Sequence, residues 1–402
     1  MWIFGYGSLM GDGWEEKFDC LRRSIALLHG YRRTFNKAST KNWGNKEAPC
    51  PTLNLEKVEA GVCKGLAFEF PDAREVEVRE YLADREGKGF PLEPLTIRLE
   101  DDSEVQAYAP VYHGKNLIST DVLQQKAAMV ARATGTNGSC RNYVKEIAKL
   151  LAKLGIDDPA VSELSHSVEK ESLESMMKEI RGRLELLESN LPRRVDGFGI
   201  SPHSKIPFKV LLYREVLIWR MAELSRSALQ HLENERLASA ITLIRAAVET
   251  SAALWYLWTK LDGAVQSRTV GDIDDYLMKL IMGSKTNPDL PQPINVLTFV
   301  DRANKDIDGF RQQYDNLSEF AHPNWAGTSL LYSKSDSKNL WTDFGANIRG
   351  LDSTKQTGAI NLSVALMIFE RNYNLVADLM PPFLKLFEGR AISATGEDLA
   401  MS

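Results

Sequence analysis

Residues 1–10, MWIFGYGSLM, set a strand directly against a turn. Trp2, Ile3 and Phe4 are aromatic and β-branched with no polar break, which predicts a strand. Gly5-Tyr6-Gly7-Ser8 is a turn signal that ends it at once. A strand that stops this way presents consecutive backbone N–H groups with little side-chain cover, and such concavities hold anions, carboxylates among them. An ordinary strand-to-loop turn has the same sequence, so the stretch alone leaves both readings open.

The next hundred residues keep this character. PTLNLEKV (51–58), VCKGLAFEF (62–70), LEPLTIRLE (92–100) and EVQAYAPVY (104–112) are strand-like runs broken by Gly, Pro and Asn. Leu53 and Leu55, and again Leu66, Phe68 and Phe70, alternate with the period of two expected of half-buried strands. DAREVEVREYLADREG (72–87) predicts a helix with Asp72 at its N-cap, acids in its first turn and Gly87 just past its end. Helices over 121–133 and 142–156 follow, the second with Tyr143, Ile147, Leu150, Leu151 and Leu154 on one face. Residues 1–160 therefore read as an α+β domain, a barrel or curled sheet with helices attached.

Beyond Asp157-Asp158-Pro159 the pattern is helical almost throughout. A charged helix (168–187) and a Pro/Gly-punctuated linker (190–207) lead to long helices at about 209–233 and 236–261. The second is apolar nearly all round and is expected to be buried. Shorter helices at 272–282, 294–304 and 307–321 precede a polar loop and a last helix from about 357 to 387, which Met380-Pro381-Pro382 is expected to kink or interrupt. The predicted organisation is a catalytic domain over 1–160, a charged helix and linker over 161–207, an all-α domain over 208–390 and a flexible tail over 391–402.

Composition excludes several classes. The net charge is −5, with 22 Lys/Arg against 23 Asp/Glu in residues 1–160 and 27 against 31 in the rest. Neither half is basic, so bulk charge gives no support for binding nucleic acid or an acidic membrane. No leader-like apolar segment opens the chain and no uninterrupted apolar run has membrane-spanning length. Cys20, Cys50, Cys63 and Cys140 form no CxxC pair. The plain reading is a cytoplasmic protein with free thiols and no structural zinc. Cys20 and Cys50 lack a histidine in any partner motif, so incidental thiols are preferred over nucleophiles.

Glu86 breaks a local rule. In YLADREGKGF (81–90) it sits at a helix C-terminus, where the macrodipole disfavours acids, immediately before a glycine-rich turn. It is either a solvated residue beside Arg85 and Lys88 or a carboxylate kept for chemistry. Arg33 reads as a surface arginine on a strand or as a carboxylate ligand, and Tyr108 as core packing or as a hydroxyl contact to a substrate.

Together, WIFGYGSLM and YLADREGKGF resemble the γ-glutamylcyclotransferases, in particular the ChaC-like branch that acts on glutathione. GYRRTF (30–35), PTLNLE (51–56), GLAFEF (65–70), YAPVY (108–112) and the closing helix SCRNYVKEIAKLLAKLGIDD (139–158) stand in the expected order. The chain departs from the family pattern at Phe90, where a tyrosine usually closes the second motif, and at GDGWEEKF (11–18), where a different tryptophan-containing loop is usual. The resemblance implies a γ-glutamylcyclotransferase-like barrel over residues 1–160, with Glu86 as general base and then acid. It further implies that Tyr6, Gly7, Ser8 and Leu9 bind the glutamyl α-carboxylate, and that neither metal nor cofactor takes part.

The helical half carries RxxxE at Arg245 and Glu249, expected as a buried pair, and YDNLSEFAHPNWAG (314–327) around His322. This combination distantly resembles uncharacterised bacterial helical domains of the HEPN kind. Arg226 and His231 in RSALQH meet a HEPN ribonuclease spacing formally, against a scaffold reading in which His322 and Arg245 satisfy neighbouring polar groups. Two functional expectations result. One is a cyclising enzyme for glutathione-like γ-glutamyl amides, with the helical half serving self-association or a protein partner. The other is an interaction or defence protein that binds a γ-glutamyl ligand without turnover and uses the helical half as effector.

Overall fold

The computed structural model of the chain describes residues 1–87, 89–201, 204–350 and 352–397, the side chains of 352 and 388–397 excepted. Lys88 and the last part of the expected tail, 398–402, lie outside the described residues. The chain divides into two compact units, Met1–Ser172 and Leu173–Ser402.

The first unit is built on a closed barrel. Strands β1 (Trp2–Gly5), β2 (Arg22–Ser39), β3 (Cys50–Glu69), β4 (Leu92–Leu99) and β5 (Glu104–Pro110) are ordered β1-β3-β2-β4-β5. The ring closes through a parallel pair, Trp2 against Ala107 and Ile3 against Tyr108, and the other pairs in the ring are antiparallel. The runs at 51–58 and 62–70 join into one strand because β3 keeps its pairing with β2 through a register shift between His29 and Tyr31. Closure removes the unpaired edges of an open sheet. Phe4, Leu28, Phe68 and Ile97 are buried in the core.

Helix α1 (Glu75–Glu86) buries Val78 and Leu82. Asp72 does not cap it: a 3₁₀ turn precedes the helix, and the Asp72 carboxylate meets the Met1 amine at 2.9 Å. Helix α2 (Leu123–Arg132) leads through the small ribbon β6 (Thr134–Gly135) and β7 (Gly138–Ser139) into α3 (Cys140–Lys153). Ser139 caps α3 by accepting from Asn142 N, and Tyr143, Ile147 and Leu151 are buried on the expected face.

The expectation of four free thiols is corrected. Cys50 at the start of β3 and Cys140 at the start of α3 form a disulfide, with Cα atoms 5.6 Å apart, while Cys20 and Cys63 are free. The barrel brings together a strand end and a helix start separated by 90 residues, a proximity that cysteine spacing cannot reveal.

Helix α4 (Pro159–Ser189) begins at the expected domain boundary, ahead of the charged helix expected over 168–187. Asp158 accepts from Val161 N through its side chain, and Pro159 takes the first helical position, so Asp-Pro starts a helix here. Val161, Leu164 and Val168 belong to the first core, and Leu173, Met177, Ile180 and Leu184 to the second.

The second unit comprises α5 (Gly197–Ile200), α6 (Ile206–Glu233), α7 (Leu237–Ser267), α8 (Ile273–Met282), α9 (Val296–Ala303), α10 (Phe310–Ala321), α11 (Ser329–Tyr332), the hairpin β8 (Ser333–Asp336) and β9 (Trp341–Phe344), and α12 (Asp352–Glu397). Helix α7 is long and apolar enough to cross a membrane by length and composition, and most of that apolar window is buried inside this unit. Helix α12 is assigned unbroken through Pro381 and Pro382, contrary to the expected interruption, and continues through residues 391–397 of the expected tail. Met380, Phe383 and Phe387 are anchored in the core on either side of the prolines, which holds the path that the missing N–H groups would otherwise loosen.

Candidate active site

Polar groups of the first unit converge on a cavity of about 400 Å³. The opening turn forms part of its lining through Tyr6, Gly7, Ser8 and Leu9, and the end of α1 contributes Arg85 and Glu86. Residues 8–10 make a single 3₁₀ turn, in which Met10 N donates to Gly7 O at 3.0 Å and Gly11 N to Ser8 O at 3.3 Å. The N–H groups of Gly7, Ser8 and Leu9 have no acceptor among the described residues. Three contacts fix this turn: Tyr6 Oη donates to Pro110 O at 2.7 Å, Trp14 Nε1 to Leu9 O at 2.9 Å and Arg33 Nε to Tyr6 O at 2.7 Å.

Trp14 also sets the turn relative to α1. Its indole stacks on Tyr81 of that helix at 5.8 Å and packs edge-on against Phe68 at 5.7 Å. Gly87 then ends α1 with φ 82° and ψ 172°, a conformation open essentially to glycine alone, so Glu86 is the last helical residue. Its carboxylate accepts from Arg85 Nε at 3.3 Å, and Arg85 Nη2 meets Asp12 at 2.6 Å. Burial pushes the Glu86 carboxyl above the ordinary carboxylate range, and the neighbouring Arg85 and Lys37 charges oppose that shift.

Two expected site residues fall elsewhere. Arg33 is neither a surface residue nor part of the cavity lining. It is buried, donates to Tyr6 O and Lys64 O at 2.7 Å each, and pairs with Asp158. Each of its three guanidinium nitrogens thus donates within the fold, to the turn, to the strand beside it and to Asp158. Tyr108 also lies outside the lining. On β5, Ala107 and Ala109 are buried and Tyr108 between them faces the other way, with the Arg79 guanidinium 3.8 Å from its ring centroid.

The structure adds residues that the sequence did not single out as lining. Lys37 and Ser39 come from β2, Thr52 and Leu53 from β3, and Tyr143 from α3. Tyr143 Oη accepts from Leu53 N at 3.1 Å. Asn42, Trp43 and Asn137 extend the wall, and Asn137 N donates to Asn42 O at 2.8 Å, which docks the β6–β7 tip on the β2–β3 loop. Lys37 carried no signal because a register shift between Thr34 and Lys37 breaks the alternation that would have predicted its face. The free cysteines take no part in the cavity: burial pushes the Cys63 thiol up to about 11 and raises that of Cys20.

A closed barrel carrying one partly buried carboxylate and an N–H-rich turn on a common cavity defines a small-molecule site in an α+β domain. Over residues 1–171, nearly the whole N-terminal unit, the chain matches the family model described as ChaC-like protein. The chain is 29% identical over 184 residues to gamma-glutamylcyclotransferase 2-3 of Arabidopsis thaliana, covering 42% of this chain and 88% of that protein. It is also 29% identical over 192 residues to the glutathione-specific gamma-glutamylcyclotransferase of Schizosaccharomyces pombe, covering 42% and 93%. A crystal structure of a glutathione-specific gamma-glutamyl cyclotransferase from yeast aligns at 20% identity with a TM-score of 0.38, covering 42% of this chain and 98% of that one.

Proposed function

We propose that the N-terminal unit is a γ-glutamylcyclotransferase that converts the γ-glutamyl group of glutathione into 5-oxoproline and releases Cys-Gly. The observation that carries this reading is the meeting of Glu86 with Gly7, Ser8 and Leu9 on one cavity. In the reaction the substrate's α-amine attacks its own γ-carbonyl. Nucleophile and electrophile belong to one molecule, so the site has mainly to hold the chain folded back and to move protons. The free N–H groups of the turn, with the Ser8 hydroxyl, take the α-carboxylate.

Glu86 accepts a proton from the α-ammonium, the amine adds to the carbonyl, and the carboxyl returns a proton to the departing nitrogen as its bond to carbon breaks. The attacking nitrogen passes from NH₃⁺ to a lactam N–H and the leaving nitrogen from an amide N–H to NH₃⁺. The two protons lost at one are gained at the other. Burial of Glu86 favours the neutral acid needed for the second half, while Arg85 and Lys37 favour the carboxylate needed for the first. The glutathione-specific relatives support the choice of substrate.

The test is incubation of the purified chain with glutathione, following 5-oxoproline and Cys-Gly by chromatography. Equimolar release that Glu86→Gln abolishes is expected. Binding of glutathione without any 5-oxoproline would leave a γ-glutamyl-binding module and remove the enzyme.

A further inference from the structure

Among the described residues two cations line the cavity, and they are placed differently. Arg85 is tied to Asp12 and Glu86. Lys37 has neither a carboxylate partner nor a hydrogen-bond acceptor for its ammonium among the described residues, although its side chain lines the same cavity. Two aromatic rings face it: Nζ lies 5.7 Å from the Phe90 ring centroid and 5.9 Å from that of Tyr112. Rings at this distance offer a cation only weak compensation for lost water. Burial accordingly lowers the Lys37 pKa, and the charge of Glu86 opposes that shift. An ammonium held in a cavity without a partner leaves room for an anion to be supplied from outside.

The glutamyl part of the substrate has no anion left to give. In the reading above, its α-carboxylate goes to the turn and its ammonium to Glu86. Glu86 also delivers a proton to the departing nitrogen, so the group bonded to that nitrogen lies in the part of the cavity where Glu86 and Lys37 feel one another's charge. We infer that Lys37 selects the leaving group, favouring γ-glutamyl amides of amino acids and peptides, whose carboxylate it binds, over γ-glutamyl amides of uncharged amines. This rests on the cyclotransferase reading for its substrate, and its binding test requires no turnover.

The probes are glutathione and its C-terminal glycinamide, which differ only in the distal carboxylate. Binding is measured by calorimetry on full-length Glu86→Gln, where neither ligand is consumed. Glutathione is expected to bind roughly ten- to a hundredfold more tightly than the glycinamide, as a charge-assisted contact provides. Adding Lys37→Gln should abolish the difference by weakening glutathione alone, and Lys37→Arg should restore part of it. Thermal melting of each variant checks that the fold is intact. Equal binding of the two ligands, failure to bind either, or loss of both on Lys37→Gln overturns the inference; the last would place Lys37 on the α-carboxylate. Absence of 5-oxoproline from the Glu86-containing chain is a separate result and removes the catalytic reading instead.

Discussion

The charged groups that the sequence singled out, and those around the cavity, fare differently in the two units. In the helical unit the charged side chains singled out by the sequence are satisfied at home. Arg226 is held in a fork by Glu188 at 2.8 and 2.6 Å, and Tyr314 Oη stands between Arg245 at 2.8 Å and Glu249 at 2.9 Å. The expected Arg245–Glu249 pair is therefore present, partly exposed, with a tyrosine as its third member. His231 and His322 line a cleft of about 560 Å³ with Ser239 and Thr242, but Arg226 is committed to Glu188. The N-terminal unit instead leaves a carboxylate raised by burial, an ammonium without an ion-pair partner and three free N–H groups around one cavity. Charges paired within the chain build a scaffold; charges left open in a cavity await a ligand.

The largest expected effect that tests this contrast comes from Glu86→Gln, with kcat lowered roughly 10²–10⁴-fold. Its sign in stability is the reverse. A carboxyl raised by burial binds its proton more tightly in the folded than in the unfolded chain, so its contribution is fully present below its unfolded pKa and is lost as pH rises through the folded value. Glu86→Gln should therefore melt no lower than the wild type at neutral pH, and the wild-type rate should fall in acid with an apparent pKa above that of a free glutamate. A variant with near-normal turnover would remove Glu86 from the chemistry.

Arg33→Met comes next. It strands Asp158 in a nearly buried site, at a cost of about 3–5 kcal/mol of unfolding free energy read by urea denaturation. It should also raise KM, because the Tyr6 carbonyl loses its guanidinium donor. An unchanged denaturation midpoint would show the pair to be worth nothing. Ser8→Ala should weaken substrate binding by about 1–2 kcal/mol, measured as KM; no change would take its hydroxyl out of the site.

The glycines separate folding from function more finely. Gly87→Ala should cost on the order of 1 kcal/mol of stability, since φ 82° suits an L side chain poorly. A Cβ on Gly7 would make only ordinary contact, 3.6 Å from Leu53 Cδ1. Gly7→Ala should therefore leave the melting temperature alone and raise KM. The smallest effect is expected from the largest deletion: a fragment of residues 1–172 should keep kcat/KM within about twofold, since every described residue lining the cavity precedes 172. An inert but folded fragment would assign the helical unit a part in the site.

Much of the fold could be read where local rules act alone. The β1 strand follows from its aromatic and β-branched residues and the α3 face from its periodicity, and Gly87 marks the end of α1 because a positive φ is required there. Longer-range facts were hidden. Arg33 looked like a surface residue or a ligand because nothing local shows that Tyr6, Lys64 and Asp158 converge on it. Asp158-Pro159 looked like a boundary because the same dipeptide that breaks one helix starts another. Of the site, Glu86 and the turn stood out because each violates a local preference; Lys37, Asn137 and Tyr143 reach the cavity only through pairing between distant elements and violate none.

The Cys50–Cys140 bond has a thermodynamic consequence. A cross-link spanning 90 residues restricts the unfolded chain by roughly 4–5 kcal/mol in the chain-entropy account. It also ties β3 just before Thr52 to α3 just before Tyr143, both on the cavity wall. The two sulfurs are buried, so exchange with an outside thiol waits on local opening of that wall. Glutathione, the proposed substrate, is itself such a thiol, and its oxidised dimer has the disulfide chemistry that would re-form the bond. The molecule consumed in the cavity would thereby govern, through the ratio of its two oxidation states, how strongly the walls of that cavity are held together.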